Sequence, residues 1–249
     1  MTRPFLSAEW RDLAMLNYAV SPDLLHPLVP SGTELDDWHG TTYLSVVGFR
    51  FVSTRVLGFP IPGHRDFEEV NLRFYVRRHA PDGWRRGVVF IKELVPRRAI
   101  AWVARAWYNE PYRALPMRHA IDRSRSDGST AVHYEWKTER QWEGVRVVTD
   151  GSSAPLESGS EAEFITEHYW GYTRQRNGST LEHQVTHPSW RVTPCRSAEL
   201  YANVSMLYGS PFETVLSASP QSAFLAEGSA IVVYRPSTLP PVALSPAIS

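Results

Sequence analysis

Residues 67–100 read FEEVNLRFYVRRHAPDGWRRGVVFIKELVPRRAI, and this stretch predicts a β-hairpin. Its first half alternates between polar and apolar side chains, as expected for a strand with two different faces. Its second half is largely apolar over residues 88–95, which is typical of a strand covered on both faces. The residues that share the polar face of the first strand are Glu69, Asn71, Arg73 and Tyr75.

The polar face of this hairpin has two interpretations. It can face water as the charged side of a half-exposed hairpin, or it can line an internal polar cavity. Pro96 ends the second strand because it cannot donate a ladder hydrogen bond, and Arg97 and Arg98 follow it directly. Guanidinium groups that point into a cavity favour a carboxylate ligand through paired hydrogen bonds. We therefore expect the hairpin to form one wall of a binding site.

The rest of the chain also predicts strands more often than helices. Residues 42–54 (TYLSVVGFRFVST) predict a strand with Tyr43 on the same face as Val47 and two phenylalanines. Short helices are predicted after Ser21 and over residues 199–207, and Asn177-Gly178 predicts a hairpin turn. The predicted strands and helices do not alternate along the sequence as they do in the βαβ units of a parallel sheet. The pattern predicts a mainly β (α+β) single domain over residues 1–249, either an antiparallel β-barrel or a sandwich, with a frayed tail from about residue 236.

Composition excludes several classes of function. The 249 residues carry a net charge of zero, so the chain lacks the basic surface expected for nucleic acid or an anionic membrane. No apolar stretch is long enough to span a bilayer, and the N-terminal residues do not resemble a signal peptide. The lone cysteine, Cys195, cannot form an internal disulfide. We therefore expect a cytoplasmic protein.

The candidates for covalent chemistry are few. Lys92 and Lys137 are the two lysines of the chain, and an amine nucleophile needs burial or a neighbouring cation to lower its pKa. Lys92 lies in the apolar strand and is the better candidate. Its alternative roles are a charge at a strand edge or a structural ion pair.

Metal and nucleotide sites are not predicted. His183 and His187 have the spacing of helical zinc ligands, but their segment reads as a strand, on which they would share a face about 13 Å apart. His168, among aromatic residues, reads as a hydrogen-bonded wall residue. The chain has no nucleophile-elbow motif, phosphate loop or dinucleotide fingerprint, so we expect no cofactor.

Several stretches resemble the YqjF-like family of uncharacterised bacterial proteins. They are EWRDLAMLNYAVSPDLLHPLVP, FEEVNLRFYV and VFIKELVPRRAI, followed later by EHYWGY and HPSW, and together they extend over nearly the whole chain. The group is similar, more distantly, to acetoacetate decarboxylase. That resemblance implies a cone-shaped antiparallel β-barrel with a few short helices and a site in its lumen.

The same resemblance implies roles for individual residues. Arg11 would stand at the position of the arginine that holds the substrate carboxylate, and Glu69 would be the lumenal carboxylate. Arg97 and Arg98 would replace the lysine pair of the decarboxylase motif. A guanidinium stays protonated and cannot attack a ketone, so Schiff-base decarboxylation is not expected.

The leading hypothesis is a barrel that binds a small anionic organic molecule in its lumen. Glu69 would accept hydrogen bonds or transfer a proton. The expected ligand-binding residues are Arg11, Tyr43, Asn71, Arg73, Tyr75, Arg97 and Arg98. One alternative is a metal-independent lyase, aldolase or hydratase that acts on a keto acid through Lys92. Another is a structural oligomer whose barrel is filled by its own side chains. The many aromatic residues would suit the interface of a homo-oligomer.

Overall fold

The computed structural model describes residues 4–96, 111–139 and 141–239. Arg97, Arg98 and the segment 100–109, which reads equally as strand or helix, lie outside the described residues. Within the described ranges, the strands are β1 (Pro4–Val20), β2 (Glu34–Leu35), β3 (Thr42–Val56), β4 (Phe59–Pro60), β5 (Phe67–Ala80), β6 (Gly83–Val95), β7 (Tyr112–Ala114), β8 (Met117–Asp122), β9 (Ala131–Lys137), β10 (Trp142–Thr149), β11 (Ala154–Pro155), β12 (Trp170–Arg174), β13 (Thr180–Thr186), β14 (Arg191–Tyr201), β15 (Ser222–Tyr234) and β16 (Ser237–Thr238). The α-helices are α1 (Pro22–Leu25), α2 (Glu161–Thr166), α3 (Val204–Tyr208) and α4 (Glu213–Leu216).

Strands of the described residues pair into a closed ring. Its order is β1-β3-β5-β6-β12-β13-β15, and β15 returns to β1. The ring closes because β13 pairs with β12 along one edge and with β15 along the other. All these pairs are antiparallel except the short parallel pairing of β12 with β6. The predicted mainly β fold is confirmed.

A second layer covers part of the outer face of the ring. Strands β14, β10, β9 and β8 extend the sheet beyond β15 and pack their apolar side chains against the outer residues of β3 and β5. Gly48 shows how closely the layers approach, since a Cβ there would lie 2.7 Å from the ring of Tyr134. The outer face of β3 and β5 is therefore core as well, and these two strands are covered on both sides.

The predicted β-hairpin of residues 67–100 is present as β5 and β6. Its register contains one irregularity: Leu72 pairs with Lys92, whereas Arg73 pairs with Phe90, so β6 carries an extra residue at Ile91. A bulge of this kind reverses the face of every residue beyond it. Phe90 and Glu93 consequently face inwards, and Lys92 faces outwards beside Leu72.

Of two predicted helices, one is present and the other begins later than expected. Helix α1 is confirmed, with Pro22 in its first turn and Ser21 accepting a hydrogen bond from the backbone of Asp23. The helix predicted over residues 199–207 is wrong in its first half, because β14 continues to Tyr201 by pairing with β10. Helix α3 begins only after Asn203, whose side chain caps it.

Strand β15 passes through Gly228 without a break. Gly228 has φ +76°, and a Cβ there would lie 2.0 Å from the carbonyl oxygen of Trp10 on the neighbouring strand. Only glycine fits so close an approach in this conformation.

Among the residues that the structure describes, none of the helices has the length and apolar character that a membrane-spanning helix requires.

Candidate functional site

The ring encloses a cavity of about 420 Å³. Its walls are the inner faces of β1, β3, β5, β6, β12 and β13, together with β7 and the end of β15. One side opens towards solvent at Ile61, which lines the cavity and is 40% exposed. The cavity has the size of sites that hold small organic ligands, which are typically ~300–1,000 Å³.

A row of polar side chains on β5 forms one wall of the cavity. Glu69, Asn71 and Arg73 alternate along the inner face of the strand and are 3%, 2% and 9% exposed. The Nδ2 of Asn71 donates a hydrogen bond to Oε1 of Glu69 at 3.1 Å, and the hydroxyl of Tyr112 on β7 donates to Oε2 at 3.3 Å. Glu93 on β6 lies directly across from Asn71 and also lines the cavity.

The environment of Glu69 changes its protonation. Burial raises its pKa to about 7, and this effect exceeds the opposing effects of Asn71, Tyr112 and the nearby charge of Arg73. The carboxyl group therefore exchanges its proton near neutral pH. A group of this kind can act as either general acid or general base.

Arg73 is a buried cation at the inner end of the polar row. Its Nη2 donates to the carbonyl oxygen of Ile165 at 3.3 Å, and its guanidinium lies 5.6 Å from the ring centre of Tyr75. Its buried Nε has no hydrogen-bond partner. Among the described residues, no carboxylate forms a salt bridge with it. The cavity thus contains a positive group with unused donor capacity.

Tyr43 and Tyr75 do not line the cavity, contrary to the sequence-based expectation. They lie beyond its inner end, where the hydroxyl of Tyr75 donates to Ser45 Oγ at 2.7 Å and that of Tyr43 donates to Glu161 at 3.1 Å. Both rings pack against Phe164 of α2. These tyrosines close the lumen.

Three histidines line the opposite wall. His168 and His183 each have a pKa lowered to about 4 by burial, and His187 has a pKa lowered for the same reason. All three imidazoles are therefore neutral at pH 7. His187 stacks on Trp190 with ring centres 4.2 Å apart, so this wall offers flat aromatic surface and neutral polar atoms. The sequence had indicated that His183 and His187 share a face, and both line the cavity.

Arg11 and Lys92 lie outside the cavity, although the resemblance implied that Arg11 would hold a carboxylate and the alternative hypothesis used Lys92 as the reactive amine. Trp10 occupies the inner face of β1, so Arg11 points outwards, where it is 41% exposed and pairs with Glu9 at 2.7 Å. Lys92 faces outwards because of the bulge in β6. Burial, with a smaller contribution from Arg113, lowers the pKa of Lys92.

Some residues of the cavity gave no signal in the sequence. Glu93 was hidden by the bulge, and Tyr112 lies on a three-residue strand that is too short to show periodicity. Trp10 lies among mixed polar and apolar residues in the first half of β1. Their positions follow from strand pairing, which a single sequence does not display.

Comparison with known proteins identifies the family. Residues 7–230 match the model of DUF2071, described as an uncharacterized conserved protein. The chain belongs to this family. YqjF of Bacillus subtilis (strain 168), itself uncharacterized, is 31% identical to this DUF2071 protein over 183 residues, which cover 72% of each chain.

Solved structures share the fold of this DUF2071 protein. Acetoacetate decarboxylase from Legionella pneumophila superimposes with a TM-score of 0.62 at 15% identity, over 96% of this chain and 88% of that one. The enduracididine biosynthesis enzyme MppR, solved with pyruvate, gives a TM-score of 0.65 at 10% identity, over 97% of this chain and 92% of that one. These likenesses show that the DUF2071 chain has the acetoacetate-decarboxylase-like fold.

Proposed function

We propose that this protein binds a small carboxylate-bearing molecule in its lumen, with Arg73 as the group that holds the carboxylate. The observation that carries the proposal is the buried guanidinium of Arg73, which faces the cavity without a salt-bridge partner among the described residues. A buried charge is costly unless it is paired, and a bound carboxylate would pair it through two hydrogen bonds.

Other residues support the same ligand chemistry. Asn71 lies between Arg73 and Glu69 on the same strand face and can contact a second polar atom of the ligand. When Glu69 is protonated it can donate to a carbonyl or carboxylate oxygen, and when ionised it can accept from a hydroxyl. The fold neighbour MppR was solved with pyruvate, which is a carboxylate. Arg97 and Arg98 lie outside the described residues, and the proposal does not depend on them.

An imine mechanism has little support in this cavity. Lys92 and Lys137 are the two lysines of the sequence, and neither is among the residues that line the cavity. Arginine cannot supply the amine in their place. The proposed site therefore binds through charge and hydrogen bonds rather than through a covalent bond to lysine. A barrel filled by its own side chains is also disfavoured, since the cavity measures about 420 Å³.

Calorimetric titration with paired ligands tests the proposal. The panel contains keto acids, hydroxy acids and simple carboxylates, each beside its primary amide. We expect acids to bind and amides to bind much more weakly. Arg73→Gln should weaken acid binding roughly 10- to 100-fold, which corresponds to the loss of hydrogen bonds to a charged group. Arg73→Lys should retain part of the affinity, because it keeps the charge.

Arg11→Gln is the matched control, because it removes a guanidinium on the outer side of the same ring. Its affinities should equal those of the wild type. If Arg73→Gln folds normally by circular dichroism and binds acids as tightly as the wild type, Arg73 is not the carboxylate-binding group.

A second candidate function is proton transfer on a bound carbonyl compound. It is favoured by the pKa of about 7 at Glu69, a group that shares the cavity with the proposed carboxylate site. Reactions of the hydratase or lyase type need such a group to move a proton next to a carbonyl. Exchange of the α-hydrogens of a keto acid with D₂O, followed by NMR, tests this function. Catalysed exchange should disappear in Glu69→Gln, and an equal rate in that variant would exclude Glu69 as the proton-transfer group.

A further inference from the structure

The cavity is polar along one half and apolar along the other. Beyond Glu69 on β5 the next inward residue is Phe67, whose ring stacks on Phe51 of β3 with centres 4.6 Å apart. Trp10 packs edge-on against Phe51 and against Phe49, with centres 6.0 and 5.5 Å apart. We call these four aromatic residues, Trp10, Phe49, Phe51 and Phe67, the aromatic collar.

The aromatic collar continues to the solvent-facing rim through aliphatic residues. Leu6, Val56 and Ile61 line the cavity there, and no charged residue of the described chain lines this part. Beyond the rim, Leu57 and Phe59 on the same loop are 51% and 72% exposed. Apolar side chains thus form most of the lining from Glu69 to solvent, and Thr54 and His64 are the polar residues that line the cavity at the rim.

A three- or four-carbon acid held at Arg73 would not reach the aromatic collar. Arg73 and Phe67 are six residues apart on one strand, a rise of about 20 Å. A ligand held at Arg73 with only a few carbon atoms would leave the collar empty. An apolar cavity of ~150 Å³ is already large enough to take up benzene, and the whole lumen here measures about 420 Å³.

We infer that the ligand of this site is a carboxylic acid with an extended apolar body, alkyl or aryl, which lies along the aromatic collar while the carboxylate lies at Arg73. The position of the carboxylate rests on the proposed function. The apolar body rests independently on the collar and the rim. Burial of each methylene group in such a collar strengthens binding, whereas a short acid gains nothing from it.

Straight-chain carboxylates from acetate to dodecanoate, each beside the primary alcohol of the same length, test the inference. Tryptophan fluorescence reports binding directly, because Trp10 and Trp190 line the cavity. Affinity for the acids should rise about fourfold for each added methylene until the cavity is filled. The alcohols should bind more weakly than the acids in the wild type, and this difference should disappear in Arg73→Gln.

Ile61→Glu supplies a variant that alters the rim without touching the polar wall. It should weaken binding of the longest acids at least tenfold and leave the affinity for the shortest acids unchanged. Phe59→Glu is its control, since Phe59 lies on the same loop but does not line the cavity. Its affinities should equal those of the wild type.

The outcomes separate the two proposals. Affinity that does not change with chain length would overturn the inference and leave the carboxylate site standing. Affinity that rises with length equally for acids and alcohols would support the collar and overturn the role of Arg73. No saturable binding of any acid or alcohol would overturn both.

Discussion

Asn71 donates a hydrogen bond to Glu69 from two positions further along the same strand, inside the lumen of the ring. The two side chains are neighbours because alternate residues of a strand share a face. This contact holds the carboxyl group of Glu69 in the cavity, where burial raises its pKa to about 7.

Glu69 should make stability depend on pH. Its pKa is near 4.5 in the unfolded chain and about 7 in the folded protein, so folding takes up a proton between these values. The free energy of unfolding should therefore fall as the pH rises from about 4.5 to 7, by up to about 3 kcal/mol from this group. Urea unfolding at a series of pH values measures this slope. Glu69→Gln removes the titration and should flatten the slope, and equal slopes in the two proteins would contradict the assignment.

Lys92 should not form an adduct with carbonyl compounds. It faces outwards beside Leu72 and does not line the cavity. Incubation with pyruvate or acetoacetate, reduction with borohydride and mass spectrometry should therefore show no mass increase at this lysine. Lys92→Arg should bind acids with unchanged affinity. A stoichiometric adduct at Lys92 would restore the imine mechanism.

Asp12 should be important for attaching the second layer to the ring. It is 6% exposed and pairs with Arg50 at 2.5 Å and with Arg123, and its backbone carbonyl accepts a hydrogen bond from Tyr134. Asp12→Ala should lower the free energy of unfolding by about 3 kcal/mol, because it leaves a partly buried arginine without its anion. Glu9→Ala, which breaks the exposed pair with Arg11, should cost under about 1 kcal/mol. Urea titration measures the free energy of unfolding of both variants, and an equal decrease in the two would contradict the prediction.

Gly228→Ala should destabilise the ring strongly. Two costs combine there: a positive φ, worth about 1–2 kcal/mol, and the overlap of the new Cβ with the backbone of Trp10. Gly178→Ala is the matched control, because Gly178 has φ +83° with no atom within 4 Å of its Cβ position. The difference between the two melting temperatures reports the overlap alone. If the two variants have the same melting temperature, β1 and β15 are less closely packed than described.

The polar wall on β5 could be predicted from the sequence, whereas the faces of the residues on β6 could not. The alternation of β5 placed Glu69, Asn71 and Arg73 on one face, because nothing interrupts that strand between them. In β6 the bulge at Ile91 exchanged the faces of Lys92 and Glu93, and a bulge leaves no signature in an apolar run.

An irregularity in β1 also keeps Arg11, which the resemblance implied as the carboxylate-holding residue, outside the cavity. Asp12 has φ +58°, and the register between β1 and β3 shifts between Arg11 and Ala14. β1 therefore changes face between Trp10 and Leu13, which both line the cavity, and Arg11 faces outwards. The inner end of the lumen, where Tyr75 meets Phe164, depends on the docking of a distant helix and could not be predicted from local pattern.

The closure of the ring has a kinetic consequence. Asn17 of the first long strand contacts Ser222, 205 positions later in the chain. During synthesis the edge of β1 that β15 will cover has no partner until that late segment has emerged, and contacts of such separation form slowly. The nascent chain therefore exposes an unpaired, aggregation-prone strand edge for much of its synthesis. Chaperone binding to the nascent chain should be strongest in that interval.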